Sequence, residues 1–294
     1  MKMVDIKLSQ GANPGHGGIL PVAKLTQELA DIRHVPMGQD VISPRAHSAF
    51  DNPTGLLEFI ASLRDLSAGK PIGIKLCIGN MTEFMSITKA MMETGIAPDF
   101  ITIDGGEGGT GAAPIELTNS VGMPLRDALI FVNNVLIGAG LRNKIKLIAS
   151  GKIISAFHML RMMALGADTI NSGRGMMLAL GCIQSRNCNN DHCPTGIATQ
   201  NPSRFKALDI NHKAQRVANY HASTIEHLVE LTAVAGLERL EDIKPHHINH
   251  RIRGTIIKNY SELYPTIPED CLVSESTVPE VWQANWKRAS ATAW

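Results

Sequence analysis

Residues 70–106 read KPIGIKLCIGNMTEFMSITKAMMETGIAPDFITIDGG, and the period of the pattern changes twice along them. KPIGIKLCIG is a short apolar run of the kind a buried strand requires. MTEFMSITKAMMETG then follows helical spacing, and Gly95 supplies the residue that ends a helix. PDFITIDGG returns to a strand. The beat repeats downstream: NKIKLIASG is a strand ending at Gly151, AFHMLRMMALG a helix closed by Gly166, and ADTINSGRG a strand ending at Gly173. Strands and helices alternating at this spacing predict βαβ units and a parallel sheet, either open and doubly wound or closed as a barrel. Each strand runs into glycine, in DGGEGGTG, SGK and SGRG, at the strand ends where α/β proteins build ligand sites.

The chain has 294 residues and 44% hydrophobic content, enough for a full core. Its formal net charge of +1 gives no footprint for nucleic acid or an anionic membrane. No apolar run reaches the roughly 20 residues of a membrane span, and MKMVDIKLSQG has no secretory core, so a cytoplasmic location is expected. Before the first βαβ unit, SQGANPGHGGILP is a Gly/Pro-rich loop after a possible strand VDIKLS. Beyond about Phe205 one long helix, HKAQRVANYHASTIEHLVELTAVAG, leads into an irregular tail with Pro245, Pro265, Pro268 and Pro279. The chain divides accordingly into 1–204 and a helical and irregular extension, 205–294.

Gly151, Gly173 and Arg174 at two successive strand ends suit a phosphate: glycine lets backbone N–H groups approach, a helix N-terminus adds its dipole, and arginine adds a bidentate donor. Glycines that only end strands in tight turns are the plainer reading. Lys75, mid-strand, needs either a salt-bridge partner or an anionic ligand. Asp104 and Glu107 sit among five glycines in a loop that covers a cofactor or serves as a flexible linker. Three of the five cysteines, Cys182, Cys188 and Cys193, crowd into GCIQSRNCNNDHCPTG. Their spacing is neither that of a zinc ribbon nor of a redox pair; three thiolates can cap an iron–sulfur cluster, His192 can add a zinc ligand, and three unrelated buried thiols complete the alternatives. Cys77 and Cys271 are isolated packing residues, and Met159, Met162, Met163, Met176 and Met177 core filler. His246, His247 and His250 have no acidic or cysteine neighbour to make a metal site.

KLSQGANPGHGGILP, GGEGGTGAAP, SGRGMMLALGC and above all GCIQSRNCNNDHCPTGIATQ resemble the FMN-binding synthase domain of glutamate synthase and its stand-alone relatives, over roughly residues 4–204. The resemblance implies a (β/α)8 TIM-type barrel carrying FMN and a 3Fe-4S cluster, with Cys182, Cys188 and Cys193 as cluster ligands. It places Gly108, Gly109, Ser150, Gly151, Gly173 and Arg174 around the flavin and its phosphate, and Lys75 on the pyrimidine side. It places Gln10, Asn13 and Arg33 at the 2-oxo acid. It implies electrons passed from a donor such as ferredoxin or a reductase subunit through the cluster to FMN, and reduction of the imine formed from a 2-oxo acid and an amine or ammonia. Glutamate synthases read QGAKPGEGGQLPG in the acid loop; Asn13, His16 and Ile19 replace three polar residues here, which shifts recognition away from 2-oxoglutarate. The KLSQG strand lies well inside the family's barrel, so the chain corresponds to the C-terminal part, its first strands supplied by a partner chain or a longer product. A non-catalytic iron–sulfur fragment and an FMN dehydrogenase for another small acid are the other readings. No amidotransferase cysteine stands at the N-terminus.

Overall fold

The computed structural model describes residues 1–108 and 111–294. In chain order it contains β1 (Val4–Lys7), β2 (Ile19–Leu20), α1 (Gln27–Arg33), β3 (Val41–Ile42), α2 (Pro53–Leu66), β4 (Ile72–Leu76), α3 (Met81–Thr94) and β5 (Phe100–Asp104). There follow α4 (Leu125–Gly138), β6 (Lys146–Ser150), α5 (Ala156–Ala164), β7 (Thr169–Asn171), α6 (Gly173–Leu180), α7 (Pro202–Phe205) and α8 (Ile210–Val234). The tail adds β8 (Asn249–Arg253), β9 (Ile256–Asn259), α9 (Tyr260–Leu263) and α10 (Glu280–Arg288).

Local chemistry sets the helix ends. Asn80 and Ser155 accept N–H groups at the starts of α3 and α5, and Gly95, at φ 70°, ends α3 in the left-handed region. The strand expected over ADTINSGRG is shorter than its sequence pattern: β7 stops at Asn171, and Gly173 opens α6 instead of closing a strand.

Five strands form one parallel sheet in the order β1-β4-β5-β6-β7. The order follows the chain without reversal, so there is no switch point of the doubly wound kind; this is the order of a barrel arc. The register sorts side chains by face. Ile6, Ile74, Ile101 and Leu147 share one row, and Leu76, Ile103, Ala149 and Ile170 the next. That face packs under the helices, with Leu57 and Ile60 of α2, Phe84 and Met91 of α3, and Val132 and Leu136 of α4 in a single core. Each such fully buried side chain contributes about 1.5–3 kcal/mol. The opposite face carries Lys7, Lys75, Thr102 and Ile148 in one row, and Asp104, Ser150 and Asn171 in the row nearest the C-terminal ends. Among the described residues β1 and β7 each pair with one strand only, so the polar face is an open trough.

At the N-terminal ends Asp99 accepts the Ile72 N–H and pairs with Arg64, and Asp168 accepts the Leu147 N–H and pairs with Arg142. These pins stabilise the scaffold at the end away from the polar loops. The tail joins the same core: Trp282 meets Phe131 edge-on at 5.7 Å, and Leu272 and Cys271 close over Gly138. Among the described residues no helix is long and apolar enough to cross a membrane.

Candidate functional site

Asp104, at the end of β5, is 1% exposed and holds three elements together. Lys75 Nζ lies 3.2 Å from its Oδ2, the Gly11 N–H donates to Oδ2 at 3.0 Å, and Ser150 Oγ donates to Oδ1 at 2.9 Å. A buried carboxylate needs this compensation. Lys75 therefore does have its partner, and the pair faces the trough. Gly11 is required where it lies, since a Cβ there would fall 1.9 Å from the Gly105 carbonyl oxygen. Ser9 Oγ accepts the Cys77 N–H at 2.8 Å and fixes the same loop to the end of β4.

Of the expected acid-site residues, Gln10 sits at this junction, its Oε1 accepting from Lys7 Nζ at 2.7 Å. Lys7 was not marked by its sequence pattern, although its place on the polar face of β1, beside Lys75, is the signal. Desolvation and then the Lys75 ammonium push Lys7 below the ordinary lysine value, against an opposing pull from Asp104. Asn13 is buried, with Nδ2 donating to Gly17 O at 2.9 Å. Arg33 stands exposed in the last turn of α1, and among the described residues no hydrogen bond or ion pair joins it to Gln10 or Asn13.

The glycine loops meet beside Asp104. A Cβ on Gly108 would come within 2.9 Å of Gly151 Cα and 3.0 Å of Asp104 Oδ1, so only glycine lets the two strand ends touch. Glu107 accepts the Leu125 N–H at the start of α4 and anchors the loop. Gly109 lies outside the described residues. Gly173 has open space around it, and Ser172 spends its hydroxyl on Ile153 O, leaving α6 with no side-chain cap. Uncapped N–H groups beside Arg174 and Lys152 make an anion-attracting corner.

The cysteine loop abuts that corner. Cys182 and Cys188 line a cavity of ≈ 60 Å³ together with Gly108, Lys152, Arg174 and Arg186. Gly111 touches Cys188, since a Cβ there would lie 2.9 Å from its Sγ. Gln184, Arg186 and Asp191 all have left-handed φ, and Asp191 Oδ1 locks the turn by accepting from Thr199 Oγ1 at 2.9 Å and Gln200 N at 2.7 Å. Lys24, which the sequence did not mark, reaches across to Cys188 O at 2.9 Å and Ala198 O at 3.1 Å. Burial would push the Cys193 thiol up, but the Thr195 hydroxyl and the N–H groups of Ala198, Thr195 and Ile197 outweigh it and hold the thiol below its ordinary value. Cys188 is raised by burial, then by Cys182 and Cys193, against Arg174 and Lys24. Cys188 thus feels the other two thiols and, against them, the cations Arg174 and Lys24, and three thiol donors beside cationic side chains are a chemistry that suits a soft anionic cluster. Among the described residues no three Cys, His, Asp or Glu side chains converge on one metal position.

The family described as "Conserved region in glutamate synthase" matches residues 1–238. The chain is 41% identical to "Glutamate synthase large subunit-like protein YerD" of Bacillus subtilis, over 90% of this chain and 50% of that protein. It is 36% identical to "Archaeal glutamate synthase [NADPH]" of Methanocaldococcus jannaschii, over 85% of this chain and 48% of that protein. It spans about half the length of these curated relatives. Among solved structures, a mutant flavocytochrome b2 with benzoylformate aligns with 75% of this chain and 42% of its own at 13% identity and a TM-score of 0.40.

Proposed function

The chain belongs to the glutamate synthase family, and from that premise we propose that it forms the strand-end half of an oxidoreductase that reduces the imine of a 2-oxo acid and an amine or ammonia to an amino acid. The observation that carries this reading is Asp104. One buried carboxylate joins the acid loop through Gly11, the trough lysine through Lys75 and the anion corner through Ser150. That junction supports a site in which flavin and acid meet at one strand end.

FMN, when bound, supplies hydride chemistry at that point, and a 3Fe-4S cluster supplies single electrons. Gly151, Gly173 and Arg174 would hold the flavin phosphate, with Gly108 and Ser150 beside the flavin and Lys75 on its pyrimidine side. Cys182, Cys188 and Cys193 hold the cluster. Gln10 orients the acid, Arg33 holds its carboxylate, and Lys7 passes a proton through Nζ, which releases it more readily than an ordinary lysine. Electrons come from a ferredoxin or a reductase subunit. Strands from outside residues 1–294 pair with the edges at β1 and β7 and close the barrel, as eight strands require.

Anaerobic purification of the chain together with the polypeptide that supplies the remaining strands, flavin and iron–sulfide analysis of that complex, and an assay with artificial reductant, ammonia and 2-oxo acids test this reading. Flavin with labile sulfide and reductive amination are expected. Stoichiometric zinc without sulfide would overturn the cluster assignment, and iron–sulfur absorption without flavin would favour a non-catalytic fragment.

A further inference from the structure

We infer that the chain carries two complementary surfaces for a second copy of itself, the basic β8–β9 hairpin of one molecule docking on the acidic turn before α10 of the next.

The tail sorts its charges along the sequence. Residues 243–258 hold Lys244, Arg251, Arg253 and Lys258 and no acid, whereas residues 259–286 hold Glu262, Glu269, Asp270, Glu275 and Glu280 and no cation. The formal net charge of +1 hides this separation. Among the described residues β8 and β9 pair only with each other, and every residue of the two strands except Asn259 is exposed. Ile252, Ile256 and Ile257 stand among the cations at 48%, 54% and 53% exposure. A two-stranded hairpin with water on both faces is marginal by itself, so a surface laid against it would stabilise it and cover the isoleucines.

The acidic surface is built on a fixed turn. Thr277 Oγ1 donates to Cys271 O and to Ser274 O, both at 2.9 Å, while Cys271 and Leu272 are buried beneath. Glu269, Val273, Glu275, Glu280 and Val281 are exposed on and around it. The two surfaces are rooted apart: Pro245–His247, at the base of the hairpin, packs beside α5, whereas α10 packs on α3 and Leu272 lies over Gly138 at the end of α4. Among the described residues no ion pair involves Arg251, Arg253, Lys258, Glu269, Asp270, Glu275 or Glu280.

Each surface mixes one sign of charge with branched apolar side chains, and that mixture selects the occupant. A polyanion such as nucleic acid would satisfy the cations and leave three isoleucines in water. The acidic turn offers carboxylates and valines together, and every copy carries it. Because the contact joins two different surfaces it is heterologous, and it repeats into a ring or an open row of molecules.

The test is sedimentation velocity over a concentration series, on the protein purified with any polypeptide that supplies the remaining strands. Wild type is expected to associate, with an apparent Kd weakened by roughly tenfold or more between about 50 and about 500 mM NaCl. Arg253→Glu with Lys258→Glu, and separately Glu269→Lys with Glu275→Lys, should each abolish association. An equimolar mixture of these two variants keeps one good hairpin and one good turn, so it should form a dimer that grows no further. All four substitutions in one chain should restore assembly, a result that a misfolded chain does not give. Wild type that stays unassociated, or that associates without regard to salt, overturns the inference. Either double variant associating like wild type also overturns it: pairing through the open sheet edges, or a hairpin that serves another partner, would then be the explanation.

Discussion

Removing the Asp104 carboxylate strands the Lys75 ammonium beside a buried acceptor site and frees both Gly11 and Ser150. Asp104→Ala should therefore cost about 3–5 kcal/mol, seen as a lower urea midpoint at unchanged slope. Lys75→Met should cost less, because Gly11 and Ser150 still donate to the carboxylate. A larger loss from the lysine than from the aspartate would show that the hub is misassigned. Cys77 gives a pH test in the same place: burial first, and then the Asp104 and Glu107 carboxylates, push its thiol from 9.0 up to about 12. A folded value above the unfolded one means that the stabilisation is complete below pH 9 and is lost as pH rises toward 12. At pH 10.5 the difference from Cys77→Val should be on the order of 2 kcal/mol relative to pH 8, and Cys77 should resist iodoacetamide in the native protein. A flat comparison would remove the buried-thiol argument. Part of this residue chemistry was legible. Lys75 in the middle of an apolar strand announced a partner, but the identity of that partner depends on register between β4 and β5, which composition does not carry. Lys7 was hidden for the same reason, since its meaning comes from standing opposite Lys75.

Elements were legible where periodicity ran long and glycine or a cap marked the end, as in β4, α3 and β5. They were not where the structure is conformational instead of periodic. The two-residue strands β2 and β3 have no pattern to read, β7 gives way early to α6, and the cysteine loop is shaped by left-handed Gln184, Arg186 and Asp191, whose side chains do not announce that backbone. Nor does sequence show that Lys24 ties the excursion between β1 and α2 to this loop from 164 residues away. That tie makes a prediction. Two hydrogen bonds from a cation to carbonyls are worth roughly 1.5–3 kcal/mol together, so Lys24→Met should release the loop, while Lys24→Arg keeps the donors. Hydrogen exchange should rise across residues 182–200 in the methionine variant and stay near wild type over β4 and β5. Exchange that rises uniformly would indicate global destabilisation and no specific tie.

At the scale of the whole molecule, the sheet has one face sealed by helices and the other open. The apolar rows are buried under α2, α3 and α4, yet Lys146, Thr169 and Asn171 on the polar face remain exposed, and both edge strands offer unpaired backbone groups. The phosphate grip proposed at Gly173 and Arg174 needs no further strand, because it is made from one helix start and its neighbours. An isoalloxazine ring cannot be held in that way. It needs contact on both faces and exclusion of water, and five strands of the proposed eight-strand barrel supply one wall. The isolated 294-residue chain should consequently bind FMN weakly, with most of the affinity in the phosphate. Riboflavin should bind far less well, and moderate salt should weaken FMN, as it does any exposed charge pairing. The open edges should also drive concentration-dependent self-association. Fluorescence titration with FMN and riboflavin, together with sedimentation velocity across a concentration series, measures both. Tight, stoichiometric FMN in a monomer, with riboflavin bound comparably, would mean that these five strands enclose the ring unaided, and the proposed closure by outside strands would then be unnecessary.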